Sequence, residues 1–407
     1  MKKISLLVLF ISLWGCKQEY TYENKIKKDV SFLADDSLEG RETGTKGEQA
    51  AAAYIVERFT ELGLQPKGTE GFYQAFSFKP KTDPHSEVNY TVNPEDSTIT
   101  GTNVLGYIDN QAENTIIIGA HYDHLGYGSD GSLHRGEKAI HNGADDNASG
   151  VAVMLDLAAK LIKANTSNNY LFMAFSGEEM GLLGSNYFTK NATLDLNKAN
   201  YMINMDMVGR LKQDSTLAVY GVGTSPRWKQ TLSATNPGFK LIENESGVGP
   251  SDHTSFYLQD MPVLHFFTGQ HDDYHRPGDD SDKLNYEGMD AISNYIFDII
   301  TELDDDGKLA FRKTKNESEE TPRFKVGLGV VPDYLFDGEG MRVDGISEDK
   351  PAQKAGLQKG DIVVKLGDSS VVDMMSYMRA LSVFKAGDST QVVVKRNGED
   401  IQANINF

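Results

Sequence analysis

Four short, predominantly apolar runs each lead into residues that bind protons or metals. Residues 115–120 (TIIIGA) end at His121-Tyr122-Asp123, and residues 170–175 (YLFMAF) at Ser176-Gly177-Glu178-Glu179. Residues 201–205 (YMINM) end at Asp206, and residues 262–267 (PVLHFF) precede a loop holding Tyr274-His275-Arg276-Pro277. An apolar run as short as 115–120 reads as a strand covered on both faces. Helical patterns alternate with these runs: Val151, Leu155, Ala158 and Leu161 align within 148–161, and 286–303 is a long amphipathic stretch. Upstream, Thr45 and Glu48 form a capping-box pair, Ala51, Ile55, Phe59 and Leu62 make one apolar stripe, and Gly63 is a natural stop. The alternation predicts an α/β fold: a central mixed, largely parallel sheet with helices on both faces. Ligands of open α/β sheets sit beyond the carboxyl ends of the strands, so the four runs deliver their polar residues to one edge.

The length of 407 residues allows a large domain plus a small one. A formal charge of −19 argues against nucleic acid as a partner. At the N-terminus Lys2 and Lys3 precede ISLLVLFISLWG, a signal-peptide pattern too short to span a bilayer. It ends in Leu13-Trp14-Gly15-Cys16, which resembles a bacterial lipobox; Trp14 departs from the small residue usual there. The resemblance implies a signal over 1–15, a lipidated Cys16 and attachment to the bacterial envelope, on the periplasmic face or the cell surface. The other reading is a plain secretory signal. Cys16 is the single cysteine, so no internal disulfide can form. Residues 17–45 read as an extended leading segment, 16–305 as the main domain, 306–322 as a charged linker and 323–407 as a second, β-rich domain.

Eight of the nine histidines fall between His121 and His275. Carboxylates crowded into one pocket repel one another, and a divalent ion removes that repulsion. Mixed nitrogen and oxygen donors without cysteine suit catalytic zinc, with cobalt or manganese as alternatives. Two ions require about six or seven donor groups, one of them shared, and the residues above suffice. Glu178 and Glu179 are neighbours at a strand end, so their side chains point to opposite faces and suit two tasks. Each residue alone has a plainer account: a solvated Glu-Glu turn, an Asp145-Asp146 helix cap, structural histidines.

Taken together, GAHYDH, NGADDNASG, SGEEMGLLGS, NMDMVG and YHRPGDD resemble the five motifs of the zinc aminopeptidases with a paired metal site, in order, over residues 28–303. This is the family of secreted bacterial leucine aminopeptidases and of glutamate carboxypeptidase ectodomains. The resemblance implies two zinc ions: one held by His121 and Asp206, the other by Glu179 and His275, with Asp145 bridging. It implies that Asp123 orients His121, that the peptide between Asp145 and Asp146 is cis, and that Glu178 is the general base for water shared by the metals. Tyr274 is the candidate donor to the oxyanion. The substrates implied are peptides with a free N-terminus. SDHTSF (251–256) also matches; Asp252 and His253 line the pocket or support it, or Ser251 or Asp252 caps a helix. His124, His134, His141 and His271 carry no assigned role. Two other functions stay open: a single-zinc glutaminyl cyclase, and a catalytically silent domain in a peptide-binding protein.

The C-terminal stretches VGLGV (326–330), ISEDKPAQKAGLQKGDIVVKLGD (346–368) and VVVKRNGE (392–399) resemble a PDZ domain of the bacterial protease type. The resemblance implies that Gly327, Leu328, Gly329 and Val330 capture a peptide C-terminus, with a helix at 374–383 closing the groove.

Overall fold

A computed structural model describes residues 22–80, 89–90, 97–128, 131–164, 166–314, 325–333, 336, 338–347 and 349–407. The signal region with Cys16 lies outside the described residues. The main domain contains helices α1 (Tyr22–Leu33), α2 (Lys46–Leu62), α3 (Gly150–Leu161), α4 (Leu183–Lys190), α5 (Trp228–Thr235), α6 (His253–Tyr257) and α7 (Tyr286–Glu302). Its strands are β1 (Gln65–Pro66), β2 (Tyr73–Phe78), β3 (Ile99–Ile108), β4 (Thr115–His121), β5 (Asn169–Phe175), β6 (Ala199–Met205), β7 (Thr216–Tyr220), β8 (Lys240–Asn244) and β9 (Val263–Phe267).

These strands form one sheet in the order β1-β3-β5-β4-β6-β9-β7-β8, with β2 on β3. The centre, β5-β4-β6-β9, is parallel throughout. Both wings turn antiparallel, at β3 on β5 and at β7 on β9, so the sheet is mixed with a parallel middle. All four central strands therefore end on one edge. Their side chains alternate between faces. Ile116, Ile118 and Ala120 enter the core beneath α1, α2, α3 and α7, while Ile117 enters the core on the other face with Phe188 and Phe256 of α4 and α6. Gly119 is required here, since a Cβ would stand 2.4 Å from the Phe175 ring on the adjoining strand.

Two expectations fail locally. The segment expected to be extended contains α1, because Ile26, Val30 and Leu33 recur at helical spacing and are fully buried against the other helices. The expected linker begins later than its charge pattern implied. Leu309 is buried and its N–H donates to Asn200 (2.7 Å), the Phe311 ring packs on Tyr257, and the N–H of Arg312 donates to Thr224 O at 2.8 Å. Thus 309–312 is laid along the main domain, and the short apolar patch in that stretch is its anchor.

The second domain is an antiparallel sheet of β10 (Val330–Pro332), β11 (Met341–Ile346), β12 (Ile362–Leu366), β14 (Ser389–Arg396) and β15 (Glu399–Asn406), with β13 (Ser369–Ser370) on β12. Helices α8 (Pro351–Lys354) and α9 (Met374–Ser382) complete it; Asp373 and Ser376 form a capping box at the start of α9. Leu328 is fully buried, and Gly329 has the positive φ (75°) that glycine tolerates. Gly329 O accepts from Ser347 N and Asp333 N donates to Arg342 O, so Val330 and Pro332 turn their backbone groups to the outer edge of β10. Lys359 of this domain pairs with Asp272 of the main domain and, at 3.3 Å, with Asp344.

Candidate metal centre

His121 is the last residue of β4 and Asp206 follows the last residue of β6, so two adjacent parallel strands bring them together. His121 Nε2 lies 3.3 Å from Asp206 Oδ1 and 3.2 Å from Asp146 Oδ1. On the other side, His275 Nε2 lies 3.2 Å from Asp146 Oδ2 and 3.2 Å from Glu179 Oε2. Donors bound at about 2.0–2.1 Å around a tetrahedral ion stand roughly 3.3 Å apart. All four spacings match that edge length, and nitrogen-oxygen donor sets of this kind fit zinc. Burial opposes charge on both imidazoles, yet Asp206 and Glu178 raise His121, and Glu179 and Asp146 raise His275, well above the usual histidine range. Burial likewise opposes ionisation of Asp146, but its bonds to His121 and His275 pull it well below the carboxylate range. Positive charge is thus favoured at both places where the carboxylates converge.

The shared carboxylate is Asp146, one residue beyond the expected Asp145. Asp145 turns the other way: its Oδ1 accepts from Gly209 N at 2.6 Å and its Oδ2 faces His271 Nε2 at 3.2 Å. The cis peptide correspondingly joins Asp146 to Asn147. The reason for the offset lies in the irregular turn 144–149, which strand or helix periodicity does not phase. Asp279 Oδ2 pins this turn by accepting from Asp145 N (2.8 Å) and Asp146 N (3.0 Å), while Asn147 Nδ2 donates to Met205 O at 3.0 Å.

Glu178 and Glu179 part as adjacent residues should. Glu179 faces His275 on one side; Glu178 Oε2 stays 4.0 Å from His121 Nε2. Burial pushes the Glu178 carboxyl well above its usual range, with Asp206, Glu179 and Asp252 adding to the effect against His121. Asp123 has a different bond from the one expected. His121 Nδ1 is nearest the Asp123 backbone carbonyl (3.2 Å), with the carboxylate at 3.7 Å. That carboxylate instead accepts from Glu178 N (3.1 Å) and Thr43 Oγ1 (3.0 Å), and so fixes the backbone of the base candidate. Tyr274 lines the cavity with its ring stacked on His275.

The cavity has a polar floor of Asp146, Glu178, Glu179, Asp206 and His275, and an apolar wall that includes Met207, Tyr220 and Phe267. Neither Ser251 nor Asp252 caps α6: Ser251 Oγ donates to Asp206 Oδ2 at 2.7 Å, and Asp252 makes no side-chain cap bond. Burial raises Asp252 to about 7. The His253 ring stacks on His265 at 4.6 Å.

Two further groups at this site lacked any assignment from sequence. His124 Nδ1 lies 2.7 Å from Glu179 Oε1. Arg41, from the turn-like LEGRETG, is almost fully buried; its guanidinium donates to Leu33 O, Tyr122 O (2.8 Å), Asn142 O (2.6 Å) and Gly143 O (3.1 Å). Burial lowers it to about 10, against the pull of Asp123, Asp146, Asp279 and Glu179, so it remains a cation amid those carboxylates at neutral pH. Its place as the last residue of the motif HYDH was the only hint for His124, and nothing local marks Arg41.

Comparison with known proteins is consistent with this geometry. Residues 103–300 match Peptidase family M28, and residues 309–407 match a PDZ domain. The main domain is thus similar to the M28 peptidases, and the second domain to PDZ domains. A probable leucine aminopeptidase of Trichophyton verrucosum is 32% identical over 174 residues, 39% of this chain and 44% of that protein. The chain thus spans less than half the length of that curated relative. Among solved structures, an aminopeptidase from Aneurinibacillus sp. strain AM-1 superposes with a TM-score of 0.54 at 18% identity, covering 72% of this chain and 95% of its own. A glutaminyl cyclase of Porphyromonas gingivalis gives 0.56 at 19% identity, covering 69% and 98%. At such identities the superpositions show a shared fold alone.

Proposed function

We propose that the M28 domain is a two-zinc aminopeptidase that removes N-terminal residues from peptides. The observation that carries this reading is Asp146 between His121 and His275, with Asp206 and Glu179 completing two matched donor sets. When bound, zinc ions polarise a carbonyl and lower the pKa of water. His121, Asp206 and Asp146 would hold one ion, and His275, Glu179 and Asp146 the other. Glu178, close to the donors but outside their four short edges, takes the proton of the attacking water and returns it to the leaving amine. Asp123 holds the Glu178 backbone for that transfer. Tyr274 donates to the carbonyl oxygen as negative charge grows there. Carboxylates on the floor attract a free ammonium group, and the wall of Met207, Tyr220 and Phe267 accepts an apolar side chain.

In this reading the PDZ domain binds peptide C-termini at Gly327–Val330. Its outer edge offers the Val330 N–H but only a carbonyl from Pro332, so strand pairing is confined to a short tail. Lipidation at Cys16 would hold the enzyme in the bacterial envelope. The test is zinc content together with hydrolysis of aminoacyl chromogenic amides. Two ions with turnover of leucyl amides support the aminopeptidase. Cyclisation of glutaminyl peptides with one ion would replace it by the cyclase, and two ions without turnover on any amide or peptide would leave a binding protein.

A further inference from the structure

We propose that His124 is a positioning residue that makes Glu179 present a single oxygen to the metal position it shares with His275 and Asp146. The inference rests on the two-metal reading above and concerns a residue outside the five donors of that reading.

The contact between His124 Nδ1 and Glu179 Oε1 is 2.7 Å, the length of a charge-assisted hydrogen bond. The four spacings between the donors are 3.2–3.3 Å, the length of an edge around an ion. The two oxygens of Glu179 are therefore distinguished: Oε2 faces His275, and Oε1 is taken by the N–H of His124. With one oxygen capped, Glu179 binds through the other alone. That leaves room at this position for water or a substrate group, which a carboxylate bound through both oxygens would fill.

The surroundings hold the His124 ring in place. It is 2% exposed, and its backbone N–H donates to Arg41 O at 3.2 Å. Gly143 makes room for it: φ there is +54°, and a Cβ would lie 2.5 Å from the ring. The ring meets His275 edge-on with centroids 5.8 Å apart. Its Nε2 is buried and meets no hydrogen-bond partner among the described residues, so Nδ1 is the ring nitrogen that faces a carboxylate. One donor atom each from His124, Asp146 and Glu179 also lie within 4.8 Å of one another, so direct ligation by His124 is the competing role to be tested.

The experiment uses the full chain with His124→Leu, which keeps bulk and loses the donor, and His124→Asn, whose amide places an N–H where Nδ1 stood. Zinc affinities are measured by chelator competition, and absorption spectra on the cobalt-substituted protein. Outer donors of this kind are worth about 10–100-fold in metal affinity. The expected result is a loss of that size for one ion in His124→Leu, the other ion unchanged, and recovery to near the parent value in His124→Asn with an unaltered cobalt spectrum. An unchanged affinity for the other ion also reports that the variant has folded. Equal loss in both variants with an altered spectrum would make His124 a ligand and overturn the proposal, as would full affinity for both ions in His124→Leu. Failure of the parent chain to bind two ions would instead overturn the two-metal reading, and is seen first.

Discussion

The two halves of the candidate metal centre are built from different material. The His121 half grows from strand ends: His121 terminates β4, Asp206 follows β6, and Ser251 holds the Asp206 carboxylate. The His275 half is made from loops. His275 has a positive φ of 53°, its side chain is 13% exposed, and its Nδ1 is held by Gly131 O at 2.8 Å. Glu179 sits in the turn after β5. Strand ends in a parallel sheet are fixed by neighbours on both sides, whereas loops open at lower free energy. The chemistry is nearly symmetric about Asp146, but the mechanical support is not. One donor set belongs to the core of the fold, and the other depends on the loops that carry it.

Asp146 is the point where this asymmetry meets, and its loss has the largest expected effect. Asp146→Ala should release both ions and reduce peptide hydrolysis to background, as metal analysis and amide turnover would register. Asp145→Asn should keep both ions; if it empties the site instead, the shared role has been given to the wrong residue. Next in size is Glu178→Gln, which should retain two ions while kcat falls by about 10²–10⁴. Glu179→Gln should lose the ion on the loop side. Equal metal loss in these two variants would erase the distinction between adjacent carboxylates.

A smaller effect tests the comparison directly. Stepwise chelation should withdraw the ion on the His275 side first, and His275→Ala should bind one ion with nearly parental affinity. Removal in a single step, or retention of the loop-side ion after His121→Ala, would break the contrast. The smallest effect concerns the metal-free fold. Burial lowers His141 and His265 to about 4, below the value of about 6.5 in an unfolded chain. The unfolded chain therefore takes up protons first. The stability these neutral rings represent is present above pH 6.5 and is lost as pH falls towards 4. Thermal melts across that window should fall, and His141→Gln should flatten the slope; an unaltered slope would remove His141 from the account.

Legibility in the sequence followed regularity of backbone. The central strands were readable because period-two alternation between two cores leaves a continuous apolar run, as at Ile116–Ile118. Their carboxyl ends then placed His121, Glu178, Glu179 and Asp206 on one edge. The turn 144–149 has no such period, and there the reading slipped by one residue, from Asp146 to Asp145. Helix α1 was hidden because its flanks are charged and three apolar residues carry its whole stripe. His124, Asp279 and Arg41 act through bonds to residues far away in the chain, which no local pattern encodes.

Arg41 has a consequence for the order in which the molecule can assemble. Tyr122, Asn142 and Gly143, whose carbonyls it gathers, lie 81 to 102 residues downstream. Contacts of that span form late, because loop closure must be paid before they stabilise anything. A chain emerging from its N-terminus thus makes the clasp long before the loops it fastens, and the donor sets can be completed only when the leading segment docks. Separating residues 22–41 from the remainder should leave a sheet with its strands in place and a metal centre that has never closed.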